Sequence, residues 1–401
     1  MSILDLIDDR DAWEDFFDYK SSLSRPGAFV KRLRLFIDGG EYRPVAERVR
    51  RGDPFPLPVK SVISKQGAEK KRVVYTYPEP ENTVLKMLTH QILRKYDGLF
   101  CRSLYSFRPG RTAKDAVRKL LRVPGIFSMY SYKADIHDYF NSIPVDRLLP
   151  LLREAISDDG GLFSFLSSLL TEERMIDRGR ETTEKKGIMA GTPQSSFYAN
   201  LFLSGMDRRF EGEGVVYSRY SDDVILFSPT EEEVKDRAGF IRDYLAERSL
   251  SINEKKEEYR SPGEPFTYLG FICSEEKVDI APATLRKLKM KMRRKRDALM
   301  RWEKRTGSDG ERAAMAFLRV FNRKMFESGR ENELSWSRWF FPVINTTESL
   351  EEIDRYAQDC VRYLVSGTHT KARFSVRYGD IKALGYRNLV NEYYKTKDAP
   401  D

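Results

Sequence analysis

Residues 214–228 read GVVYSRYSDDVILFS, two apolar runs on either side of a short polar turn. That pattern predicts a β-hairpin whose tip carries Asp222 and Asp223 side by side. An Asp-Asp turn is commonplace on its own, because aspartate bonds to nearby backbone and suits turns. A second acidic segment gives it meaning. Residues 127–143, FSMYSYKADIHDYFNSI, predict a strand through Ile136 that ends among Asp135, Asp138 and the Tyr139-Phe140 pair. Pro144 then opens a helix through VDRLLPLLREAI, its proline tolerated in a first turn. If this strand lies beside the hairpin, Asp135 and Asp222 face each other and can hold two divalent cations. Magnesium prefers carboxylate and phosphate oxygens. Two such ions suit in-line displacement at phosphorus, one activating the attacking hydroxyl and one steadying the leaving pyrophosphate. Spacing alone does not bring the two segments together.

On either side of this centre the pattern changes. Residues 1–50 carry helical apolar spacing (Trp13, Phe16, Phe17, then Phe29, Leu33, Phe36), broken at Arg25-Pro26 and at Gly39-Gly40. A Pro-rich stretch, Asp53 to Pro58, precedes a strand containing Val73, Val74 and Tyr75. Residues 83–97 predict a helix with Leu85, Leu88, Ile92 and Leu93 on one face. Between 125 and 275 strands alternate with helices, the mark of an α+β unit, and beyond about 280 helical periodicity dominates.

Composition sets the outer limits. The chain has 401 residues, 40% hydrophobic and 33% charged, so it is an ordinary globular chain of two or three domains. A net charge of +9 and a pI near 9.2 point toward a polyanionic partner. Three cysteines and three histidines occur, none at a metal-ligand spacing, which disfavours a zinc module and a disulfide scaffold. The acidic N-terminus lacks the basic and apolar segments of a signal peptide. No apolar run approaches the roughly 18–20 residues needed to span a bilayer. A cytoplasmic protein with no membrane partner is expected.

Six segments, in order, resemble the motifs of reverse transcriptases, over about residues 55–290. Tyr220-Ser221-Asp222-Asp223 is similar to their Y-x-D-D hairpin, and Asp135-Ile136-His137-Asp138-Tyr139-Phe140 to their first catalytic segment. Gly191-Thr192-Pro193-Gln194-Ser195-Ser196, running into Phe197-Tyr198-Ala199-Asn200-Leu201, resembles the loop and helix under the template. Residues 250–256 (LSINEKK) resemble the next motif through Asn253 and Lys256, and Tyr268-Leu269-Gly270-Phe271 the primer-grip hairpin. Tyr105-Ser106-Phe107-Arg108-Pro109-Gly110-Arg111 resembles the fingers motif of bacterial, retron and group II intron enzymes.

The resemblance implies an α+β right-hand polymerase. A helical N-terminal extension would occupy 1–54, fingers 55–130, palm 131–275 with a fingers insertion at about 145–190, and a helical thumb and C-terminal region 276–401. It implies Asp135 and Asp222 as ligands of two Mg²⁺ (Mn²⁺ a substitute), with Asp223 beside them and the Ile136 carbonyl completing a metal shell. Phe140 would exclude a ribose 2′-hydroxyl and Gln194 would lie near the nascent base pair. Lys256 would protonate or neutralise pyrophosphate, and Arg72 would clamp the triphosphate. Nucleic-acid contacts would come from Arg108, Tyr268, Gly270 and a helix at 285–305, whose eleven basic residues include Lys289, Lys291, Arg293 and Arg294. Leu285, Leu288, Met292 and Leu299 form that helix's apolar seam. His137 is expected at the surface, Asp138 at a helix start and Cys273 as an apolar filler. Trp302, Trp336, Trp339, Phe340 and Phe341 suit base stacking or a helical core equally.

No Cys or His cluster follows the thumb, Ser196 stands where retron enzymes usually have proline, and residues 378–395 resemble the ending of some bacterial defence-associated enzymes. The resemblance therefore implies a stand-alone bacterial enzyme with a dedicated non-coding RNA template, a DNA product, deoxynucleoside triphosphate substrates and an antiphage role; a homo-oligomer is left open. Two other readings keep the same scaffold. One is template-independent or protein-primed DNA synthesis; the other is a non-catalytic RNA-binding or maturase protein.

Overall fold

The computed structural model describes residues 2–23, 27–64, 71–327 and 335–398. The Arg25-Pro26 break lies outside them. The chain forms two compact units, residues 1–264 and 265–401.

Among the described residues the first unit holds eight strands in two four-stranded sheets. One sheet has the order β2-β1-β4-β5, from β1 (Val59–Ser64), β2 (Lys71–Thr76), β4 (Arg174–Asp177) and β5 (Arg180–Thr183). Its β1 and β4 run parallel, so chain segments far apart in sequence share this sheet. The other has the order β6-β7-β3-β8, from β3 (Tyr130–Asp135), β6 (Val216–Tyr220), β7 (Asp223–Ser228) and β8 (Glu258–Arg260). Here β3 is central, antiparallel to both β7 and β8. Tyr132, Ala134 and Asp135 on β3 are buried, as are Val224 to Ser228 on β7. The helix Glu231–Ala246 packs on β3 and β7 through Val234, Ala238, Ile241 and Leu245, an i, i+4, i+7, i+11 stripe. The helix Ser195–Phe202 is buried almost all round, and it fills the core beneath the sheet.

The N-terminal helices Arg10–Leu23, Ala28–Asp38 and Arg43–Arg51 join the same core. Trp13 stacks on Tyr42 at 5.2 Å and donates its indole N–H to the Ile7 carbonyl at 2.9 Å. The predicted helix at 83–97 spans Glu81–Lys95. Its His90 lies against the rings of Phe16 (5.4 Å) and Tyr19 (4.3 Å). Burial pushes the His90 pKa down to about 4, and the cations Arg94 and Lys20 add to the effect. Unfolded, the same imidazole titrates near 6.5. Its contribution is therefore present above about pH 6.5 and lost as pH falls toward 4. Full linkage would be worth roughly 3 kcal/mol; solvent screening of a part-exposed ring reduces this to about 1–2 kcal/mol. His90→Leu should flatten the stability difference between pH 6.5 and 4 in paired urea melts. A variant that follows the wild-type slope would show that other groups drive acid loosening.

The second unit contains β9 (Phe266–Tyr268), β10 (Phe271–Cys273) and β11 (Val278–Ile280) in the order β11-β10-β9. Three long helices, Pro282–Thr306, Gly310–Phe326 and Glu348–Ser366, pack on one another. The tail forms two helices, Tyr378–Ala383 and Leu389–Lys397, with Gly385 in the left-handed region between them (φ 97°). Buried Asp354 docks this tail by accepting from Tyr386 Oη and from the Leu389 and Val390 N–H groups. Among the described residues no helix is long and apolar enough to cross a membrane.

Candidate active site

The antiparallel register sets Asp135 directly opposite Asp223, and Tyr220 opposite Asp223 on the other side. Ser221 and Asp222 alone form the turn between β6 and β7. Such two-residue turns call for left-handed backbone, and Ser221 adopts it at φ 62°. A side chain other than glycine there costs about 1–2 kcal/mol, so the turn must be held. Three hydrogen bonds hold it. Ser221 N–H donates to Ser106 Oγ at 2.8 Å, Arg219 Nη1 donates to the Ser221 carbonyl at 3.2 Å, and Ile136 N–H donates to the Asp222 carbonyl at 3.1 Å.

A buried polar network lies behind these contacts. Arg219 is fully buried and pairs with equally buried Asp207 through two hydrogen bonds, one of them Nε to Oδ1 at 2.8 Å. It also donates to the Asn200 carbonyl, and Tyr217 Oη donates to Asp207 at 2.8 Å. Asn200 Nδ2 donates to the Ser106 carbonyl at 2.8 Å, and Ser106 Oγ donates to Asn200 Oδ1 at 3.1 Å. Burial opposes the charge on Arg219, but Asp207 overrides it and raises the guanidinium pKa.

The carboxylates themselves repel. Burial and then Asp135 raise the pKa of Asp222; Lys256 and Arg72 work in the other direction. Burial, Asp222 and Asp135 push Asp223 up to about 6. Lys256 Nζ sits 2.6 Å from Asp135 Oδ2, and Asn253 N–H donates to the Asp135 carbonyl at 2.7 Å. Among the described residues no three Asp, Glu, His or Cys side chains converge into a finished cation cage. The donor set still fits a hard divalent cation. It offers oxygen ligands only, and after burial the neighbouring carboxylates are what raise the Asp222 and Asp223 pKa values.

Other predicted residues lie on neighbouring elements of the first unit, and Arg72 is close enough to lower the Asp222 pKa. Phe140 opens a short helix (Tyr139–Ser142), edge-on to Phe107 at 6.3 Å and to Tyr139 at 5.7 Å. Its carbonyl accepts from Ile188 N–H at 3.0 Å. Gly187 packs so tightly there that a Cβ would come within 2.6 Å of the Phe140 and Asn141 carbonyls. Gln194 is buried at the start of the helix Ser195–Phe202, and its Nε2 has no hydrogen-bond partner among the described residues. Arg72 is exposed on β2. His137 is exposed and Asp138 stands at the helix start with φ 43°.

Residues 63–273 match the family described as "Reverse transcriptase (RNA-dependent DNA polymerase)", which is more than half of the chain. The chain belongs to the reverse transcriptase family. It is 25% identical over 234 residues to the retron Ec86 reverse transcriptase of Escherichia coli, covering 57% of this chain and 67% of that one. It is 25% identical over 232 residues to an uncharacterised 91 kDa protein in the cob intron of Schizosaccharomyces pombe, covering 51% of this chain and 27% of that protein. Solved telomerase structures are similar at lower levels. Apo telomerase from Candida tropicalis matches with a TM-score of 0.48 at 11% identity, over 85% of this chain and 62% of that one. A version truncated from its C-terminal domain matches with a TM-score of 0.44 at 13% identity, over 57% and 55%.

Three of the residues expected at nucleic acid, Arg108, Tyr268 and Lys289, have protein partners or are buried in this structure. Arg108 is buried, and its donors are taken up by Asp97 (Nε to Oδ1 at 2.7 Å) and by the carbonyls of Cys101, Leu104 and Asp97. It braces its own loop and has no donor left for a phosphate. Tyr268 is buried in the second unit. The hairpin's tip is the backbone at Leu269 and Gly270, both at positive φ (48° and 90°). Lys289 is ion-paired with Glu352 and lies over the Tyr356 ring. By contrast Lys291, Arg293 and Arg294 are exposed on the helix Pro282–Thr306, whose buried side carries the predicted Leu285, Leu288, Met292 and Leu299. Phe340 and Phe341 are core residues, and Cys273 is buried.

Sequence reasoning missed Asp207 and Arg219 altogether, and read Ser106 and Asn200 only as motif letters. The one signal was an arginine inside a strand of otherwise uncharged residues, immediately before the Tyr-Ser-Asp-Asp turn.

Proposed function

We propose that this reverse transcriptase copies an RNA template into DNA with two Mg²⁺ ions, or Mn²⁺ in their place, held by Asp135 and Asp222. Asp223 and the Ile136 carbonyl stand beside them. The observation that carries this reading is the pinned Ser221-Asp222 turn, which keeps a third, half-buried carboxylate beside the Asp135–Asp223 pair. Asp135 raises the Asp222 pKa, and Asp222 and Asp135 raise that of Asp223. Bound ions would acidify the primer 3′-hydroxyl and neutralise charge on the triphosphate. The O3′–Pα bond forms, the bond from Pα to the bridging oxygen breaks, and pyrophosphate leaves. The 3′-hydroxyl proton passes to solvent. Lys256 exchanges its Asp135 contact for the departing pyrophosphate and gives it a proton, while Arg72 holds the triphosphate. The unpaired Gln194 amide is available to the nascent pair.

Phe140 sets the sugar preference, and its clamped carbonyl and ring contacts keep it from yielding to a 2′-hydroxyl. Phe140→Ala should raise ribonucleotide incorporation at least about tenfold relative to deoxynucleotide, a change of about 1.4 kcal/mol. Unchanged sugar discrimination would remove the gate role. We assign the fingers, palm, thumb and terminal segments to the sequence ranges given above. A dedicated non-coding RNA as template and an antiphage role in the bacterial cytoplasm complete the proposal, supported by the motif resemblance and the likeness to the retron enzyme.

The test is extension of a DNA primer annealed to RNA of mixed sequence, with product sequencing and phenol partition. Complementary DNA that partitions to the aqueous phase is the expected product. DNA unrelated to the template, or DNA carried into phenol with the protein, would overturn templated synthesis from a nucleic-acid primer.

A further inference from the structure

The second unit ends its helix Glu348–Ser366 in an aromatic pile that nothing in polymerisation requires. His369 stacks on Tyr363 with ring centroids 3.7 Å apart and planes 13° from parallel. At that spacing the imidazole fills one face of Tyr363. The guanidinium of Arg296, 4.8 Å from the Tyr363 centroid, therefore lies on the other face. The result is a three-layer stack, with buried Arg296 at the bottom and exposed His369 at the open end. Five residues on, Phe374 is 54% exposed on the short helix Lys371–Ser375, with Arg362 and Arg373 beside its ring at 5.5 and 4.6 Å. Arg373 ties the two rings together. It donates to the His369 carbonyl at 2.5 Å and to Asp359 Oδ1 at 2.7 Å, which neutralises that nearby carboxylate. Lys371, between the two in sequence, is exposed. Residues 360–379 hold four Arg or Lys and no Asp or Glu.

A lone exposed phenylalanine needs no explanation; what distinguishes Phe374 is that cations flank its ring and an open aromatic stack ends five residues earlier. The flanking charge is mainly positive: Arg362, Lys371, Arg373 and Arg377 stand against Asp359, which Arg373 pairs, and Asp380, which accepts from the Arg377 N–H. Flat apolar rings separated by cations match a chain of bases joined by phosphates, because every base offers a π-face and every linkage a negative charge. An acidic peptide would satisfy the charges but not two separate stacking faces. We infer that His369 and Phe374, with Lys371 between them in sequence, form a stacking platform for single-stranded nucleic acid on the second unit. It would hold an unpaired stretch of RNA or DNA.

The test uses the full chain with no nucleotide present, so its outcome does not depend on the proposed catalytic chemistry. An unlabelled hairpin primer–template is first added to saturation. A fluorescent twelve-nucleotide oligouridylate, and in a second arm oligothymidylate, is then titrated and followed by anisotropy. His369→Ala combined with Phe374→Ala should weaken single-strand binding by about 10- to 100-fold, since each stacked base is worth about 1–3 kcal/mol. Both rings are exposed, so the melting temperature and the duplex affinity should not change. Lys371→Glu is the second variant; it should weaken binding and flatten its salt dependence while both rings stay in place. Loss in one arm alone names the strand, RNA or DNA, and supports the platform. Wild-type affinity in the ring variant in both arms overturns it, as does a ring variant that matches wild type for the oligonucleotide while losing a co-purifying protein.

Discussion

Asp222→Asn is expected to reduce DNA synthesis by about 10³-fold or more, a loss of about 4 kcal/mol of transition-state stabilisation. Its effect on folding should run the other way. Burial and Asp135 raise the Asp222 pKa in the folded chain, so the ionised form is the less comfortable one at neutral pH. A carboxyl with a raised folded pKa lowers stability above that pKa, and the penalty disappears as pH falls below the unfolded value. Asparagine removes the charge while keeping size and shape, and the turn is pinned through backbone atoms of Ser221 and Asp222 that the substitution leaves alone. The metal-free variant should therefore melt at or above the wild-type temperature at pH 7.5. Added Mg²⁺ should stabilise the wild type more than the variant, because only the wild type retains the full set of oxygen ligands. A Mn²⁺ titration followed by electron paramagnetic resonance reads the same difference without turnover. RNA binding should survive. A variant that polymerises normally, or one that melts well below wild type, would remove Asp222 from the metal-holding role.

Parts of this site could be read before any coordinates because their chemistry is local. The hairpin announces itself by alternation, and its two-residue turn leaves Asp222 and Asp223 nowhere else to go. The strand Tyr130–Asp135 likewise ends where its acidic residues begin. The partnership between them is long-range, and only the resemblance brought them together. Side-chain partners are long-range in the same way: the sequence does not show that Asp97 closes on Arg108, or that Glu352 on another helix pairs with Lys289. Burial within the strand Phe266–Tyr268 is local, since period-two alternation puts Phe266 and Tyr268 on one face. Both are buried. The sheet containing β1, β2, β4 and β5 was harder, because the exposed β5 carries no apolar alternation and β4 joins β1 in parallel across a long stretch of chain.

Asp207→Asn is expected to cost about 3–5 kcal/mol, the usual penalty for leaving one member of a buried ion pair without its counter-charge. For a folded unit of this size that lowers the melting temperature by about 10 °C or more. Loss of activity in such a variant would say little by itself, because an unstable protein loses activity anyway. The informative variant replaces both partners, Asp207→Leu with Arg219→Met. Apolar residues of similar volume often substitute for a buried pair with little net cost, because two desolvation penalties vanish with the attraction. Tyr217 Oη loses its acceptor in this protein, so recovery to within about 1–2 kcal/mol of wild type is expected rather than full recovery. The double variant still lacks the guanidinium that donates to the Ser221 carbonyl and the Asn200 carbonyl. Ser221 would then hold its left-handed conformation with one fewer tether, and Asp222 would wander from the place opposite Ile136. The turnover number should remain about 10- to 100-fold down while KM for the deoxynucleotide changes little, since no nucleotide contact is removed. Raising Mg²⁺ should recover part of the loss if the defect is a poorly placed ligand. A double variant that regains both stability and turnover would confine the Arg219–Asp207 pair to folding. One that stays as unstable as Asp207→Asn would show that the site cannot be repacked. The expected split, stability regained and turnover still low, is what a buried ion pair produces when its work is to fix the backbone under the carboxylate proposed to hold the metal.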